Sequence, residues 1–214
     1  ADIEGIGTSY LTIHGVKELK PVSISIIPDR IEIGTFLIAG ALLGEISVCD
    51  TIPSHLTALI EKLKMSGAQI DVSGNEITIS TSGNLSPVDL TTAVYPGFPT
   101  DLQAQWIACM AVSKGSSVIT DTVYHDRFSH VPELNRLGAN IKIEHNSAFV
   151  RGVKSLKGAP VMSTDIRASA SLILGGLVAD GKTTISRVYH IDRGYEHIVN
   201  KFQSLGADIQ RIQS

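Results

Sequence analysis

A repeat constrains this chain more than any other feature. Ser66-Gly67-Ala68-Gln69-Ile70, Leu137-Gly138-Ala139-Asn140-Ile141 and Leu205-Gly206-Ala207-Asp208-Ile209 recur at a period of roughly 70 residues. The chain opens on Ala1-Asp2-Ile3, the same motif without its leading glycine. Each full copy follows an amphipathic stretch, so its glycine reads as a helix C-cap. Alternating segments around a short turn come next: 68–72 and 76–80 flank Ser73-Gly74-Asn75, and 140–144 and 148–152 flank His145-Asn146-Ser147.

Upstream of each hairpin the order is strand, apolar helix, strand, amphipathic helix. The first unit, about 17–82, predicts strands at 22–27 and 45–49 and helices at 30–43 and 54–65. The second, about 83–153, predicts strands at 88–93 and 116–120 and helices at 100–112 and 130–137. The third, about 154–214, predicts strands at 159–162 and 182–186 and helices at 165–179 and 192–205, and stops one strand short. Residues 1–16 read as the closing hairpin of an earlier unit whose body is absent. A solenoid is the plain alternative, but its periods usually run about 20–50 residues.

The first helix of each unit is apolar nearly all round, most clearly at 165–179. A helix with no polar face is buried on every side, and its Ala, Ser and Gly let neighbours come close. Three such helices predict an interior bundle wrapped by sheets, with the charged second helices outside. Because aromatics are only 5% of residues, that core must be aliphatic. Cys49 and Cys109 are too few for a disulfide framework and read as core filler. The net charge of −3 gives no general attraction to nucleic acid or to an anionic membrane, so neither is an expected partner. No apolar run reaches spanning length and no signal peptide opens the chain, which leads to a cytoplasmic expectation.

Polar residues gather where the buried helices begin: Pro28-Asp29-Arg30, Phe98-Pro99-Thr100-Asp101 and Ser163-Thr164-Asp165-Ile166-Arg167. Asp29, Thr100 and either Thr164 or Asp165 read as N-caps. Capping does not account for Arg30 or Arg167, since a cation in the first turn opposes the helix dipole. Arg127 and Arg193 lie in matched loops before the second helices of their units. Guanidinium forks fit phosphate and carboxylate, so the expected ligand is a small phosphorylated acid. His125 and His130 flank Arg127 without a carboxylate or cysteine at metal-ligand spacing, so neither a metal nor a cofactor is expected. His14, His55 and His145 read as surface residues. No P-loop or G-x-G-x-x-G is present, which argues against nucleotide hydrolysis and hydride transfer.

Four motifs in order then become recognisable. Tyr95-Pro96-Gly97-Phe98-Pro99-Thr100-Asp101-Leu102-Gln103-Ala104-Gln105 resembles the signature of the UDP-N-acetylglucosamine enolpyruvyl transferases. So do Asp126-Arg127-Phe128, Asp165-Ile166-Arg167-Ala168-Ser169-Ala170-Ser171 and His190-Ile191-Asp192-Arg193-Gly194-Tyr195-Glu196. The related shikimate-pathway transferases share the fold but not usually the Pro-Thr-Asp-Leu-Gln-Ala-Gln string. The resemblance implies an α/β fold in which each of two domains is an inside-out barrel of three βαβαββ units. Residues 1–16 would close the first domain and 17–214 would form the second. The family's own amino terminus crosses over to complete that second domain, which would explain the strand missing from the third unit.

By the same resemblance, the reaction moves enolpyruvate from phosphoenolpyruvate to the 3′-hydroxyl of UDP-N-acetylglucosamine and releases phosphate. Asp101 would contact the sugar and act as base, and Val123 would lie against the uridine diphosphate through its backbone. Arg127, Arg167 and Arg193 would surround phosphoenolpyruvate, Arg193 with a catalytic share. The family's proton-donating cysteine belongs to the first domain, and neither Cys49 nor Cys109 matches it. The family often has Glu-Asn before the loop arginine; this chain has His125-Asp126. The missing amino-terminal half would be a required partner and this chain alone inactive. A non-catalytic binding module is the alternative from another class.

Overall fold

A computed structural model describes residues 1–212; the last two residues assigned to the third unit lie outside the described residues. The chain starts with the expected hairpin, β1 (Asp2–Glu4) antiparallel to β2 (Thr12–His14). The first unit then runs α1 (Arg30–Leu43), β3 (Ile46–Val48), α2 (Thr57–Met65), β4 (Gln69–Ser73) and β5 (Glu76–Ser80). The second runs β6 (Leu90–Thr91), α3 (Gln103–Met110), β7 (Ser116–Thr120), α4 (Val131–Arg136), β8 (Asn140–Glu144) and β9 (Ser147–Arg151). The third holds β10 (Leu156–Lys157), β11 (Pro160–Met162), α5 (Ile166–Leu177), β12 (Ala179–Asp180), β13 (Thr184–Ser186) and α6 (Ile198–Ser204).

The apolar helices are central, as their composition requires. α3 packs against both α1 and α5, and every residue from Gln103 to Met110 is buried. Gly34 lets α1 lie close to its neighbours: a Cβ there would stand 2.5 Å from Leu102 Cδ1 and 3.0 Å from Leu59 Cδ2, so any larger residue would force those side chains to shift. Each outer helix ends in the same two bonds. Gly67, Gly138 and Gly206 adopt φ between 89° and 98°, and the following alanine N–H reaches back to Leu63, Leu134 or Phe202. These are Schellman caps, and they explain why the Gly-Ala pair repeats. Cys109 lies in the core, where burial pushes its thiol up to about 12.

In the second unit the strand order is β6-β7-β9-β8, with β6 parallel to β7 and the others antiparallel. The third unit pairs β11 with β13 in the same parallel way. The first unit differs. Among the described residues β3 pairs only with β5, and the strand predicted at 22–27 forms no ladder; Val22, Ile24, Ile26 and Ile27 are exposed. Alternation shows what a segment can become, but a strand exists only where a partner completes its hydrogen bonds. Cys49 is likewise exposed rather than core filler, because it lies past the last paired residue of β3 with no strand covering that edge.

Three helices are also shorter than predicted, each preceded by a 3₁₀ turn; ahead of α2 it is Pro53–Leu56. Thr100–Leu102 is a 3₁₀ turn that leads into α3. The helix expected at 192–205 splits into a 3₁₀ turn, Val188–Arg193, and α6, because Tyr195 is drawn into the core between them and His197 turns left-handed at φ 49°. Residues 207–212 form no strand; instead Arg211 makes a two-pronged ion pair with Asp192 at 2.8 and 2.6 Å. Among the described residues no helix is long and apolar enough to cross a membrane.

Candidate active site

The starts of α3 and α5 bring a carboxylate and two arginines together. Pro99 is extended, and the 3₁₀ turn after it carries Asp101 at the rim of the buried bundle, with 38% of its side chain exposed. Arg127 arrives from the loop between β7 and α4, and its Nη1 donates to Asp101 Oδ1 at 2.5 Å. Arg167 arrives from the first turn of α5, and its Nε donates to the same oxygen at 3.1 Å. Both bonds therefore fall on Oδ1, and Oδ2 takes part in neither. Burial alone would push the Asp101 carboxyl up. The Arg127 hydrogen bond, with the charge and hydrogen bond of Arg167, outweighs it and holds the group below its ordinary 3.8. Asp101 is an anion at neutral pH.

Each arginine is fixed from behind. The Arg127 guanidinium stacks 4.9 Å from the centre of the Tyr124 ring. Arg167 follows Asp165, whose Oδ1 caps α5 by accepting from the N–H groups of Arg167 and Ala168 at 2.7 and 2.9 Å. Asp165 Oδ2 accepts from the Ser129 hydroxyl at 3.0 Å, which ties the helix start to the Arg127 loop. Behind this junction His130 is buried. Desolvation lowers it to about 4, so it is neutral.

Other predicted residues are placed differently. Arg193 is exposed at the end of its 3₁₀ turn and forms no ion pair among the described residues. The next residue, Gly194, lies against the start of α5: a Cβ there would be 3.1 Å from Ile166 Cγ2 and 3.9 Å from Arg167 Nη1. The backbone just after Arg193 thus lies against the start of α5, and among the described residues no ion pair engages the Arg193 guanidinium. Val123 is partly exposed, and its N–H already donates to Asp121 Oδ1 at 3.0 Å, so its carbonyl is the backbone group left to meet a ligand. Arg30 does not join the cluster; it stacks 5.1 Å over the Tyr95 ring. Thr100 is not the cap of α3, because its hydroxyl donates to Asp121 instead.

Sequence reasoning missed two buried networks. One is Asp121 itself. The other joins the three units: the Tyr195 hydroxyl meets Thr35 Oγ1 of α1 at 2.8 Å, and Gln105 Nε2 of α3 donates to both at 3.1 Å. The available signal was Thr35 and Gln105, polar residues within otherwise apolar helices.

Residues 1–202 match the family of EPSP synthase (3-phosphoshikimate 1-carboxyvinyltransferase). The chain belongs to that family. Relatives described as UDP-N-acetylglucosamine 1-carboxyvinyltransferase resemble it closely. The one from Desulfosudis oleivorans is 54% identical over 99% of this chain and 51% of its own length, and the one from Myxococcus xanthus is 54% identical over 99% and 50%. The chain spans about half the length of the curated relatives it matches. Among solved structures, the enolpyruvyl transferase NikO from Streptomyces tendae superposes with a TM-score of 0.79 at 31% identity, over 87% of this chain and 45% of that one. EPSP synthase from Acinetobacter baumannii superposes with a TM-score of 0.60 at 18% identity, over 76% and 40%, a likeness of fold alone. The fold is that of the enolpyruvyl transferases, with mixed sheets around buried helices.

Proposed function

We propose that this chain is the second half of an enzyme that moves the enolpyruvyl group from phosphoenolpyruvate to the 3′-hydroxyl of UDP-N-acetylglucosamine. That transfer is the first committed step of peptidoglycan synthesis and belongs in the cytoplasm. Residues 17–214 would form the second domain and residues 1–16 the closing hairpin of the first. The amino-terminal half would complete the barrel and the cleft, and without it the chain would not turn over.

One observation carries this reading: the Asp101 carboxylate is held on Oδ1 by Arg127 and Arg167 while Oδ2 is left to a ligand. Surface pairs such as Lys157–Asp180 also use one oxygen, but here two guanidinia converge on a single carboxylate at the rim of the buried bundle. In the addition step the sugar hydroxyl attacks C2 of phosphoenolpyruvate, C3 gains a proton, and Oδ2 takes the hydroxyl proton. In the elimination step the methyl group returns a proton to the group that supplied it, and phosphate departs with the C–O bonding pair and takes up the proton held on Asp101. Arg127, Arg167 and Arg193 stabilise the charge on phosphate and carboxylate through both steps. Val123 borders the uridine diphosphate. The donor of the C3 proton belongs to the other half.

The shikimate reading has the family's description in its favour. The 54% identity to UDP-N-acetylglucosamine transferases, against 18% to an EPSP synthase, favours the sugar nucleotide. Phosphate release from the complete enzyme with UDP-N-acetylglucosamine, and none with shikimate 3-phosphate, is the expected result. The reverse pattern overturns it, and release with neither makes the chain a binding module.

A further inference from the structure

We propose that Asp121 is a positioning residue that sets the separation of Asp101 and Arg127. This rests on the transferase reading above. The Asp121 side chain is fully buried, yet no Lys, Arg or His forms an ion pair with it among the described residues. Neutral donors satisfy it instead. Oδ1 accepts from the Thr92 hydroxyl at 2.7 Å and from the N–H groups of Val123 and Tyr124 at 3.0 and 2.8 Å. Oδ2 accepts from the Thr100 hydroxyl at 2.5 Å. Burying a carboxylate is costly unless its lone pairs are filled, and a filled network in a dry interior is stiff.

The donors come from separate segments, and each leads to the site. Thr92 follows β6, and Thr122 clasps it, its N–H to the Thr92 hydroxyl at 3.1 Å and its own hydroxyl to the Thr92 carbonyl at 2.5 Å. Val123 and Tyr124 begin the loop that delivers Arg127, whose N–H donates to the Tyr124 carbonyl at 3.2 Å. Thr100 immediately precedes Asp101, and its 3₁₀ turn has no side-chain cap of its own. The backbone of Asp121 is anchored in turn: its N–H donates to the Asn146 carbonyl at 2.8 Å, and its carbonyl accepts from Asn146 Nδ2 at 3.0 Å. The Thr100 hydroxyl is therefore the side-chain link from this knot to the turn that holds Asp101. Without it the Asp101 turn and the Arg127 loop are tied through the Arg127–Asp101 ion pair itself, and the long arginine side chain lets the two segments shift. A slip of about 1 Å at a reacting centre costs up to about 100-fold in rate.

The test compares Thr100→Val with Thr100→Ser in the complete enzyme, with Thr100→Ala as a second hydroxyl-free variant should the valine protein fail to fold. Phosphate release gives kcat and KM for each substrate across pH. The serine variant should keep most of the turnover. The hydroxyl-free variant should lose roughly 10–100-fold in kcat with little change in KM for UDP-N-acetylglucosamine. The acid limb of its pH–rate profile should move to higher pH, because Asp101 drifts from the guanidinia that lower its carboxyl. Equal turnover in the serine and hydroxyl-free variants overturns the inference, as does an equal loss in both. Absence of phosphate release from the unmodified enzyme with UDP-N-acetylglucosamine is a different failure: it overturns the transferase reading and takes this inference with it.

Discussion

At the start of α5, Asp165 turns its carboxylate back onto the N–H groups of Arg167 and Ala168; at the start of α3, Asp101 turns its carboxylate away from the helix and onto two guanidinia. Asp29 behaves like Asp165, accepting from the N–H of Ile31 at 2.7 Å. All three lie near the start of the buried helix of their unit, Asp29 and Asp165 at the N-cap and Asp101 inside the 3₁₀ turn. Two are occupied by capping, and the third is not, because α3 opens through a 3₁₀ turn with no side-chain cap. Free N–H groups at a buried helix start are tolerable where water or a ligand can reach them. Of these three aspartates, the one that does not cap its own helix is the one available for chemistry.

The sharpest way to break this comparison is Asp101→Asn in the complete enzyme. Asn keeps the size and an oxygen for Arg127 but cannot take a proton, so turnover should fall by roughly 10²–10⁴ while substrate binding largely survives. Melting should move less than in a cap variant. Near-normal turnover would make Asp101 a sugar contact and place the base elsewhere. Next in size is Arg193→Lys, which keeps the charge and loses the fork. Loss of one charge-assisted bond predicts a deficit of about 1.5–3 kcal/mol in kcat/KM for phosphoenolpyruvate, with a smaller change for UDP-N-acetylglucosamine. Equal deficits for both substrates would move Arg193 out of the phosphoenolpyruvate site.

Asp165→Ala should cost about 1 kcal/mol of stability, the usual penalty for losing an N-cap, and Asp101→Ala less. Thermal melts of the two proteins measure the difference, and a larger loss at Asp101 would end the distinction between cap and site. The smallest expected effect is in pH. Asp101 and Asp165 have carboxyls below 3.8 in the folded chain, so their contribution is present above that value and lost as pH falls through the folded values. His130 is lowered to about 4 from 6.5, so the unfolded chain takes up its proton first and stability declines between pH 6.5 and 4. Melting temperature against pH should fall in both windows, and Asp101→Asn should flatten only the lower one.

Much of the fold was legible because it rests on local chemistry. The Gly-Ala pairs mark Schellman caps, and α1 runs from Arg30 to Leu43 as its capping aspartate and apolar run require. The burial of α3 and the closeness of Arg127 and Arg167 to Asp101 followed from matched positions in the repeat and from the family motifs. The segment 22–27 shows the limit: it alternates as well as any strand in the chain and forms none, since pairing belongs to two segments and not to one.

The sequence by itself therefore determined the repeat, the buried helices, their caps and the residue types at the cleft end. Tertiary structure alone decided that Thr100 leaves its helix uncapped to bind Asp121, that both guanidinia share one oxygen of Asp101, and that Asp121 joins Thr92, Thr100 and the Arg127 loop. The reason is physical. Propensity and capping act over a turn of chain, whereas a hydrogen bond between Thr100 and Asp121 depends on where β6, β7 and α3 pack, which no local pattern encodes.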